Sequence, residues 1–303
     1  MKILLTGVAG QLGQELLPRL TPLGEVLALD RNPGEGQAKH MAFDLSDEGR
    51  LETLLNRFEP ELIVNAAAYT AVDQAERERE QAFAINASVP GRMARWAERQ
   101  GGALLHYSTD YVFDGALDRP YVETDEPSPL NVYGESKLAG ELAIRASGCR
   151  HLILRSSWIY SGHGNNFVLK MLDLARTRPR LRVVDDQIGC PTWARNLAEH
   201  SVLAIRKGLL GRRAPRTDLY HCADRDSASW FDFAALVFDT AADIGILEHK
   251  PLMERVKSEG FPQVARRPRF SVLDSRAIHR DLGVRSAPLE ASLAACLREL
   301  VPA

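Results

Sequence analysis

Cysteine is scarce in this 303-residue chain, and neither sign of charge is in excess. The four cysteines are scattered and form no Cys-x-x-Cys pair, so we expect reduced thiols with no disulfide framework and no zinc site. Lysine and arginine together number 38 against 40 acidic residues, a net charge of −2. This balance gives no indication of a polyanion-binding surface, and the sequence predicts no nucleic-acid partner.

Long apolar runs and internal repeats are also missing from the sequence. The first apolar segment, Ile3 to Leu5, is too short for a signal peptide or a membrane span, so we expect a cytoplasmic protein with no membrane partner. Hydrophobic residues make up 45% and charged residues 26%, which is ordinary for a globular protein. The length suits one large domain or two smaller ones.

Glycine, by contrast, is concentrated in a Gly7-x-x-Gly10-x-x-Gly13 pattern directly after this apolar segment. Leucines at helical spacing follow, which predicts a strand, a glycine turn and a helix in that order. Such a turn lets the backbone approach a pyrophosphate at the N-terminus of the helix. A glycine-rich loop that is only a turn is the simpler alternative. Pro18 predicts a kink or an early end to the helix.

The end of the second predicted strand carries residues that distinguish the two nicotinamide dinucleotides. Asp30 favours NAD, because a carboxylate there accepts hydrogen bonds from the adenosine ribose hydroxyls. The adjacent Arg31 favours NADP, because a guanidinium neutralises the additional phosphate. The sequence has both residues and therefore leaves the choice between NADH and NADPH open.

Two further predicted strands end in small or hydroxyl-bearing residues. Asn65 leads into three alanines, and Ser108-Thr109-Asp110 follows the apolar segment that begins at Ala103. In open α/β sheets, ligands bind at the carboxyl ends of parallel strands, so both places are candidate parts of one site. Tight packing of the alanines and capping by the hydroxyls are the structural alternatives.

Tyr133 and Lys137 are four residues apart, so on a helix both side chains point in the same direction. A free tyrosine has a pKa of about 10, and a nearby lysine favours the phenolate and brings the phenol closer to the range of proton transfer at neutral pH. The pair therefore predicts an acid–base site, although the same spacing also occurs on solvated helix faces.

These motifs, in this order, resemble the extended short-chain dehydrogenase/reductases that act on nucleotide sugars. Within that family, the segments 108–115, 166–168 and 186–192 resemble the enzymes that complete dTDP-L-rhamnose. A neighbouring branch, the 4,6-dehydratases, has Thr-Asp-Glu where this chain has Thr109-Asp110-Tyr111. We therefore expect ketone reduction and not elimination of water.

The resemblance covers nearly the whole chain and implies its fold. We expect an α/β protein: a Rossmann-like doubly wound parallel sheet with a smaller C-terminal substrate-binding lobe. Residues 1–160 are expected to form the dinucleotide-binding domain, with a segment of about 181–222 returning to it. Residues 161–180 and 223–303 are expected to form the lobe.

The implied reaction is the reduction of the 4-keto group of dTDP-4-dehydro-6-deoxy-L-mannose by NADPH or NADH, with a dTDP-sugar as substrate. Tyr133 would donate the proton, Lys137 would hold the nicotinamide ribose, and Thr109 would donate a second hydrogen bond to the ketone oxygen. The expected cofactor-binding residues are Gly7, Gly10, Gln11, Leu12, Gly13, Asp30, Arg31, Asp44, Leu45, Ala66, Ala67, Ala68, Tyr107, Tyr133 and Lys137. The expected substrate-binding residues are Thr109, Asp110, Trp158, Asn166 and Arg267.

Two alternative functions stay open from the sequence. One is a non-catalytic NADP-binding regulator similar to the beta subunit of methionine adenosyltransferase, and the other is a different nucleotide-sugar reductase or epimerase. Some family members are reported as homodimers bridged by a metal that glutamates hold. Glu15 matches one such glutamate, but Arg195 stands where another acid is expected. We therefore predict no metal, and the sequence leaves a homodimer open.

Overall fold

Strands and helices alternate through most of the chain. The computed structural model describes residues 1–32, 40–211 and 217–301. Its strands are β1 (Lys2–Thr6), β2 (Glu25–Asp30), β3 (His40–Ala42), β4 (Leu62–Asn65), β5 (Ala103–Thr109), β6 (Arg150–Ser156), β7 (Ile159–Tyr160), β8 (Arg180–Val184), β9 (Ile188–Gly189), β10 (Thr192–Trp193), β11 (Thr217–His221), β12 (Ala228–Ser229) and β13 (Leu252–Val256). Its α-helices are α1 (Gln11–Leu20), α2 (Glu48–Phe58), α3 (Val72–Ala75), α4 (Arg79–Phe83), α5 (Val89–Gln100), α6 (Val132–Ser147), α7 (Phe167–Thr177), α8 (Ala194–Ala204), α9 (Trp230–Asp243), α10 (Arg276–Leu282) and α11 (Leu289–Arg298).

Seven strands form one parallel sheet in the order β11-β6-β5-β4-β1-β2-β3. The inner strands β1 and β4 are short, nearly continuous apolar segments, as expected for parallel strands that are buried on both faces. The chain leaves β1 toward β2 on one side and later returns to β4 on the other. This reversal of strand order opens a crevice at the carboxyl end of β1.

Helices cover both faces of the sheet. On one face, Leu16 of α1 packs with Leu197 of α8 and Ile278 of α10 against the strands. On the other face, Leu51 of α2 and Trp96 of α5 belong to a second apolar cluster with the buried strand side chains that point to that face. The arrangement confirms the predicted doubly wound α/β fold.

A separate apolar cluster lies outside the central sheet and forms the core of the C-terminal lobe. Helices α7, α9 and α11 contribute Leu172, Phe233 and Leu293 to it. Three two-stranded sheets accompany the cluster, and they pair β7 with β10, β9 with β12, and β8 with β13.

The pairing of β8 differs from the predicted division of the chain. The prediction returned residues from about 181 onward to the dinucleotide-binding domain, but β8 pairs in parallel with β13 and packs Leu181 and Val183 into the cluster of the lobe. Helix α8 and strand β11, later in the same segment, do join the central layers. The difference arises because the residues of a strand do not by themselves specify which strand it pairs with. The other predicted bounds of the two domains stay predictions.

The helix after the glycine turn is longer than Pro18 suggests. Helix α1 continues past Pro18 to Leu20, because a proline in the last turn removes only one backbone donor. Among the described residues, no helix combines the length and the apolar character needed to cross a bilayer.

Candidate active site

The glycine turn between β1 and α1 is packed so closely that two of its positions exclude a side chain. Gly7 has a φ of +73°, and a Cβ atom on it would lie 2.6 Å from the backbone nitrogen of Ala67. A Cβ atom on Gly13 would lie 2.0 Å from the carbonyl oxygen of Gly7. Helix α1 begins after Gly10 and has no acidic residue in its first turn. Its N-terminus is therefore suited to an anionic group such as a pyrophosphate.

A cleft of about 1100 Å³ opens at this end of the sheet. It is lined by every residue that the sequence predicts for cofactor binding: Gly7, Gly10, Gln11, Leu12, Gly13, Asp30, Arg31, Asp44, Leu45, Ala66, Ala67, Ala68, Tyr107, Tyr133 and Lys137. The glycine turn forms a cradle at the N-terminus of α1, and this glycine cradle and the size of the cleft fit a dinucleotide. The roles of the individual residues stay predictions.

The carboxylate of Asp30 is held at the edge of the cleft by the backbone. Its Oδ2 atom accepts a hydrogen bond from the backbone nitrogen of Ala9 at 3.0 Å, and its Oδ1 atom accepts one from the backbone two residues further along at 3.1 Å. Arg31 beside it is exposed. Nearby, hydrogen bonds from Ser46 hold the pKa of Asp44 below its ordinary value. This part of the cleft thus has carboxylates that can accept hydrogen bonds from ribose hydroxyls and a cation that can pair with a phosphate.

Tyr133 and Lys137 lie on the first turns of α6, and both reach the cleft, as their spacing predicts. Asn131 caps this helix by accepting a hydrogen bond from the backbone three residues along at 2.8 Å. The buried ammonium of Lys137 lies 2.5 Å from the carbonyl oxygen of Tyr107 and 3.3 Å from Nε2 of His106. Burial lowers the pKa of Lys137 to about 8.

The phenol of Tyr133 differs from the expectation of a lowered pKa. Desolvation raises the pKa of Tyr133 to about 12, a hydrogen bond with Thr109 opposes the rise, and the charge of Asp110 adds to it. The Lys137 ammonium is turned to the backbone of β5, so its effect on the phenol stays a prediction for the complex with the dinucleotide. The neutral phenol is nevertheless the form that can donate a proton.

Thr109 ends β5, and a buried acid follows it. The Thr109 hydroxyl donates to Oδ1 of Asp110 at 3.0 Å and accepts from the backbone nitrogen of Tyr111 at 3.1 Å. Oδ2 of Asp110 accepts hydrogen bonds from Ser157 at 3.0 Å and from Ser271 at 2.5 Å. Because Asp110 is only 2% exposed, burial raises its pKa to about 6 despite these three donors. The predicted catalytic threonine therefore adjoins an acid that titrates near neutral pH.

Trp158 lines the cleft with a backbone conformation that is uncommon for a bulky residue. Its φ is +46°, in the left-handed region. Its ring stacks on Trp230 of α9 with centroids 3.4 Å apart and planes 3° from parallel. Gly189 makes room for the ring, since a Cβ atom there would lie 2.5 Å from it. Such strained positions cluster at ligand sites, which supports the predicted role of Trp158 in substrate binding.

Two predicted substrate-binding residues, Asn166 and Arg267, are not among the described residues that line the cleft. Both bond to structural partners instead. Asn166 caps α7 by accepting a hydrogen bond from the backbone nitrogen of Leu169 at 3.1 Å. Arg267 forms a two-pronged ion pair with Asp73, with N···O distances of 3.1 and 2.7 Å. A substrate contact for either residue stays a prediction.

One residue of the cleft that the sequence patterns did not single out is Ser156. It ends β6 and lies directly beside Thr109 in the register of the sheet. Its hydroxyl is buried and, among the described residues, has no hydrogen-bond partner, as is also true of the Ser108 hydroxyl. The rule that ligands bind at the carboxyl ends of parallel strands, applied to β6 as well as to β5, would have identified it.

Glu15, the residue for which the family resemblance raised the question of a metal, is neutralised by arginines of this chain. Burial alone would raise the pKa of Glu15, but hydrogen bonding and the charge of Arg195 bring it below its ordinary value. The guanidinium of Arg195 lies 3.1 Å from Glu15 and also pairs with Glu299, and Arg19 lies 2.9 Å from Glu15.

An arginine between two carboxylates does not fit a divalent cation, because it takes the place of the positive charge. Within residues 1–32, 40–211 and 217–301, no group of three or more His, Cys, Asp or Glu side chains is arranged to hold a metal. The absence of a bound metal in the protein stays a prediction that removal of divalent ions can test.

The glycine cradle at the switch point of a doubly wound sheet, with the Tyr133–Lys137 pair and Thr109 in the same cleft, defines a reductase that uses a nicotinamide dinucleotide. The family model described as "RmlD substrate binding domain" matches residues 1–301, and the chain belongs to that family.

Similar proteins agree with this assignment. The chain is 42% identical over 301 residues to the dTDP-4-dehydrorhamnose reductase of Escherichia coli strain K12, with 99% of this chain and 98% of the relative covered. It is similar to the crystal structure of a dTDP-4-dehydrorhamnose reductase from Clostridium acetobutylicum, with a TM-score of 0.88, 33% identity and 99% of each chain covered. It is also similar to the Bacillus anthracis dTDP-4-dehydrorhamnose reductase in complex with NADP, with a TM-score of 0.87, 32% identity, and 98% and 99% of the two chains covered.

Proposed function

We propose that this chain reduces the 4-keto group of dTDP-4-dehydro-6-deoxy-L-mannose with NADPH or NADH to give dTDP-L-rhamnose, as a dTDP-4-dehydrorhamnose reductase does. The observation that carries the proposal is the meeting of the glycine cradle with Thr109, Tyr133 and Lys137 in one cleft. The 42% identity to such an enzyme over 301 residues supports the same substrate.

Different residues of the chain have different roles in the proposed reaction. The bound dinucleotide supplies the hydride for carbon 4 of the sugar. Tyr133 is neutral at pH 7 because its pKa is about 12, and its hydroxyl donates a proton to the oxygen on that carbon. Thr109 donates a second hydrogen bond to this oxygen, which orients the ketone and stabilises the developing charge. Lys137 holds the nicotinamide ribose.

Both nicotinamide dinucleotides suit the adenosine end of the cleft. Asp30 is positioned by the backbone to accept hydrogen bonds from ribose hydroxyls, and Arg31 lines the cleft beside it. The B. anthracis relative binds NADP. We expect measurable activity with both reduced cofactors. A homodimer and a cytoplasmic location remain predictions.

The test is the loss of reduced-nicotinamide absorbance when the protein is mixed with dTDP-4-dehydro-6-deoxy-L-mannose. The decisive variant is Tyr133→Phe, and Tyr121→Phe is the matched control, because the Tyr121 hydroxyl bonds to Asp114 outside the cleft. Loss of the proton donor lowers kcat by about 10²–10⁴-fold, whereas the control keeps its activity.

The alternatives predict different outcomes. Wild-type protein that binds the dinucleotide but does not turn over this ketone would reject the proposal and favour the regulatory-subunit hypothesis. Turnover of another keto sugar in preference, in a panel of nucleotide sugars, would favour a different reductase. An unchanged rate for Tyr133→Phe would assign the proton donor to another group.

A further inference from the structure

The buried carboxylate of Asp110 has two sets of hydrogen-bond donors. Thr109 donates to its Oδ1 atom at 3.0 Å. Ser157 and Ser271 donate to its Oδ2 atom at 3.0 and 2.5 Å. Ser157 and Ser271 are each 1% exposed, so water does not compete for their hydroxyls. The carboxylate is therefore shared between a predicted catalytic residue and two residues without an assigned role.

The Thr109 hydroxyl has a single proton with two competing acceptors. In the free site it donates to Asp110, whereas the proposed reaction needs it to donate to the ketone oxygen. An Asp110 carboxylate that accepts strong hydrogen bonds from other donors forms a weaker hydrogen bond with Thr109. Donors on Oδ2 thus favour the release of Thr109 toward the substrate.

Ser271 makes the shorter of the two serine contacts and comes from the C-terminal part of the chain. Its backbone nitrogen donates to the carbonyl oxygen of Ile188 at 2.8 Å, and the neighbouring residue Phe270 forms a β-bridge to the same Ile188. These contacts anchor Ser271 to the segment of Ile188 and Gly189, and Gly189 lies against the Trp158 ring.

We propose that Ser271 is a positioning residue of the reaction: it holds the Asp110 carboxylate from the side of the lobe and so frees the Thr109 hydroxyl for the ketone oxygen. This inference rests on the proposed reduction and assigns it a residue outside the glycine, tyrosine and lysine motifs. Ser271 acts through Asp110 and does not touch the reacting atoms.

The inference makes a prediction about pH. Asp110 has a pKa of about 6, so above that pH its carboxylate competes for the Thr109 proton, whereas protonation below that pH removes the competitor and raises kcat. This change of rate is the acid limb of the pH profile. Removal of a donor to the carboxylate raises the pKa of Asp110, so Ser271→Ala moves this acid limb upward by about one pH unit. The ionisable groups that face Asp110 are Tyr111, Tyr133 and Cys190. Burial raises the pKa of all three, so none of them titrates in this range.

A second buried acid has a similar pKa, and a variant must separate the two. Burial raises the pKa of Asp224, which accepts from the backbone nitrogen of Trp193, to about 6 as well. Asp110→Asn abolishes the acid limb if it belongs to Asp110 and leaves it in place if it belongs to Asp224. The second result would overturn the inference.

The experiment measures kcat and KM against pH for wild type, Ser271→Ala, Ser271→Thr and Ser286→Ala. Ser286 is the matched control, because its hydroxyl donates to the carbonyl oxygen of Ala223 at 2.8 Å and has no part in the site. We expect Ser271→Ala to lower kcat about tenfold at pH values above its acid limb, with the KM for the dinucleotide unchanged. We expect Ser271→Thr to recover most of the rate.

Two results for Ser271→Ala would also overturn the inference. One is a Ser271→Ala enzyme with the kcat and acid limb of wild type. The other is a slower enzyme that keeps the wild-type acid limb, since a merely structural effect would not move the titration of Asp110. If Ser271→Ala does not fold, Ser271→Cys keeps the volume with a weaker donor and is subject to the same criteria. Wild-type turnover decides the proposed function, and the ratio of each variant to wild type decides this inference.

Discussion

The two ends of the cleft are built from different parts of the chain. At the dinucleotide end, the main features are backbone groups from one short segment, the turn from Gly7 to Gly13 with the N-terminus of α1. At the other end, the predicted sugar end, the features are side chains from distant segments: Asp110 accepts from Ser157 and Ser271, which lie 47 and 161 residues away. A short local motif can form the first end, whereas the second depends on how the whole chain packs.

The contrast predicts that damage at each end affects a different ligand. The largest effect is expected for Gly13→Ala, because the new Cβ atom would lie 2.0 Å from a backbone carbonyl that cannot move without opening the turn. We expect the affinity for NADPH and NADH to fall about 100-fold, as measured by fluorescence titration. Binding of the dTDP-sugar is expected to change little.

The matched control is Gly49→Ala on the exposed side of α2, where the added Cβ meets only Asp47 at 4.0 Å. Cofactor affinity close to wild type in Gly13→Ala would show that the turn is less restrictive than its geometry indicates. Equal losses for the cofactor and the sugar would contradict the separation of the two ends.

A smaller effect is expected at the sugar end for Trp230→Leu. The Trp158 ring loses its stacking partner, and aromatic pairs of this kind contribute about 0.5–1.5 kcal/mol beyond area burial. We expect the KM for the dTDP-sugar to rise about 3- to 10-fold while the KM for the dinucleotide stays unchanged. Steady-state kinetics with each substrate varied in turn measures both values.

Trp230→Phe is the control, because it keeps an aromatic face against Trp158 and is expected to be less affected. Near-ultraviolet circular dichroism follows the stacked pair independently and should change in Trp230→Leu. An unchanged KM for the sugar together with a lost dichroism signal would separate the stack from substrate binding.

The smallest effect is expected for removal of divalent metal. The Glu15 carboxylate is already paired with Arg195 and Arg19, so treatment with EDTA should leave both the activity and the melting temperature unchanged. Arg195→Glu is the contrasting variant, because it replaces the cation by a third carboxylate near Glu15 and Glu299. Its melting temperature should rise when Mg²⁺ or Ca²⁺ is added. A loss of wild-type activity in EDTA would contradict the prediction.

The features that could be predicted from the sequence are those that neighbouring residues determine. The strand, glycine turn and helix follow from local periodicity and from positions where only glycine fits, and the structure has them at the predicted residues. The Tyr133–Lys137 spacing likewise placed both side chains in the cleft, since four residues complete about one helical turn.

The features that were missed depend on packing between distant segments. The partner of β8 is β13, which the residues of β8 do not specify. The buried pair of Glu141 and Arg155 joins α6 to β6 through hydrogen bonds of 2.9 and 2.6 Å, and neither residue belongs to a motif. The high pKa of Tyr133 follows from desolvation in the folded cleft, which the spacing between Tyr133 and Lys137 does not reveal.

The sequence alone determined the α/β class, the glycine turn and the placement of Tyr133 and Lys137 on one face of a helix, because each rests on spacing within a few residues. Only the tertiary structure decided the long-range contacts: Ser271 against Asp110 and Trp230 against Trp158 near the cleft, and Arg195 between two glutamates elsewhere. These contacts join segments far apart in the chain, and the free energy of a buried contact depends on the partner that folding brings to it.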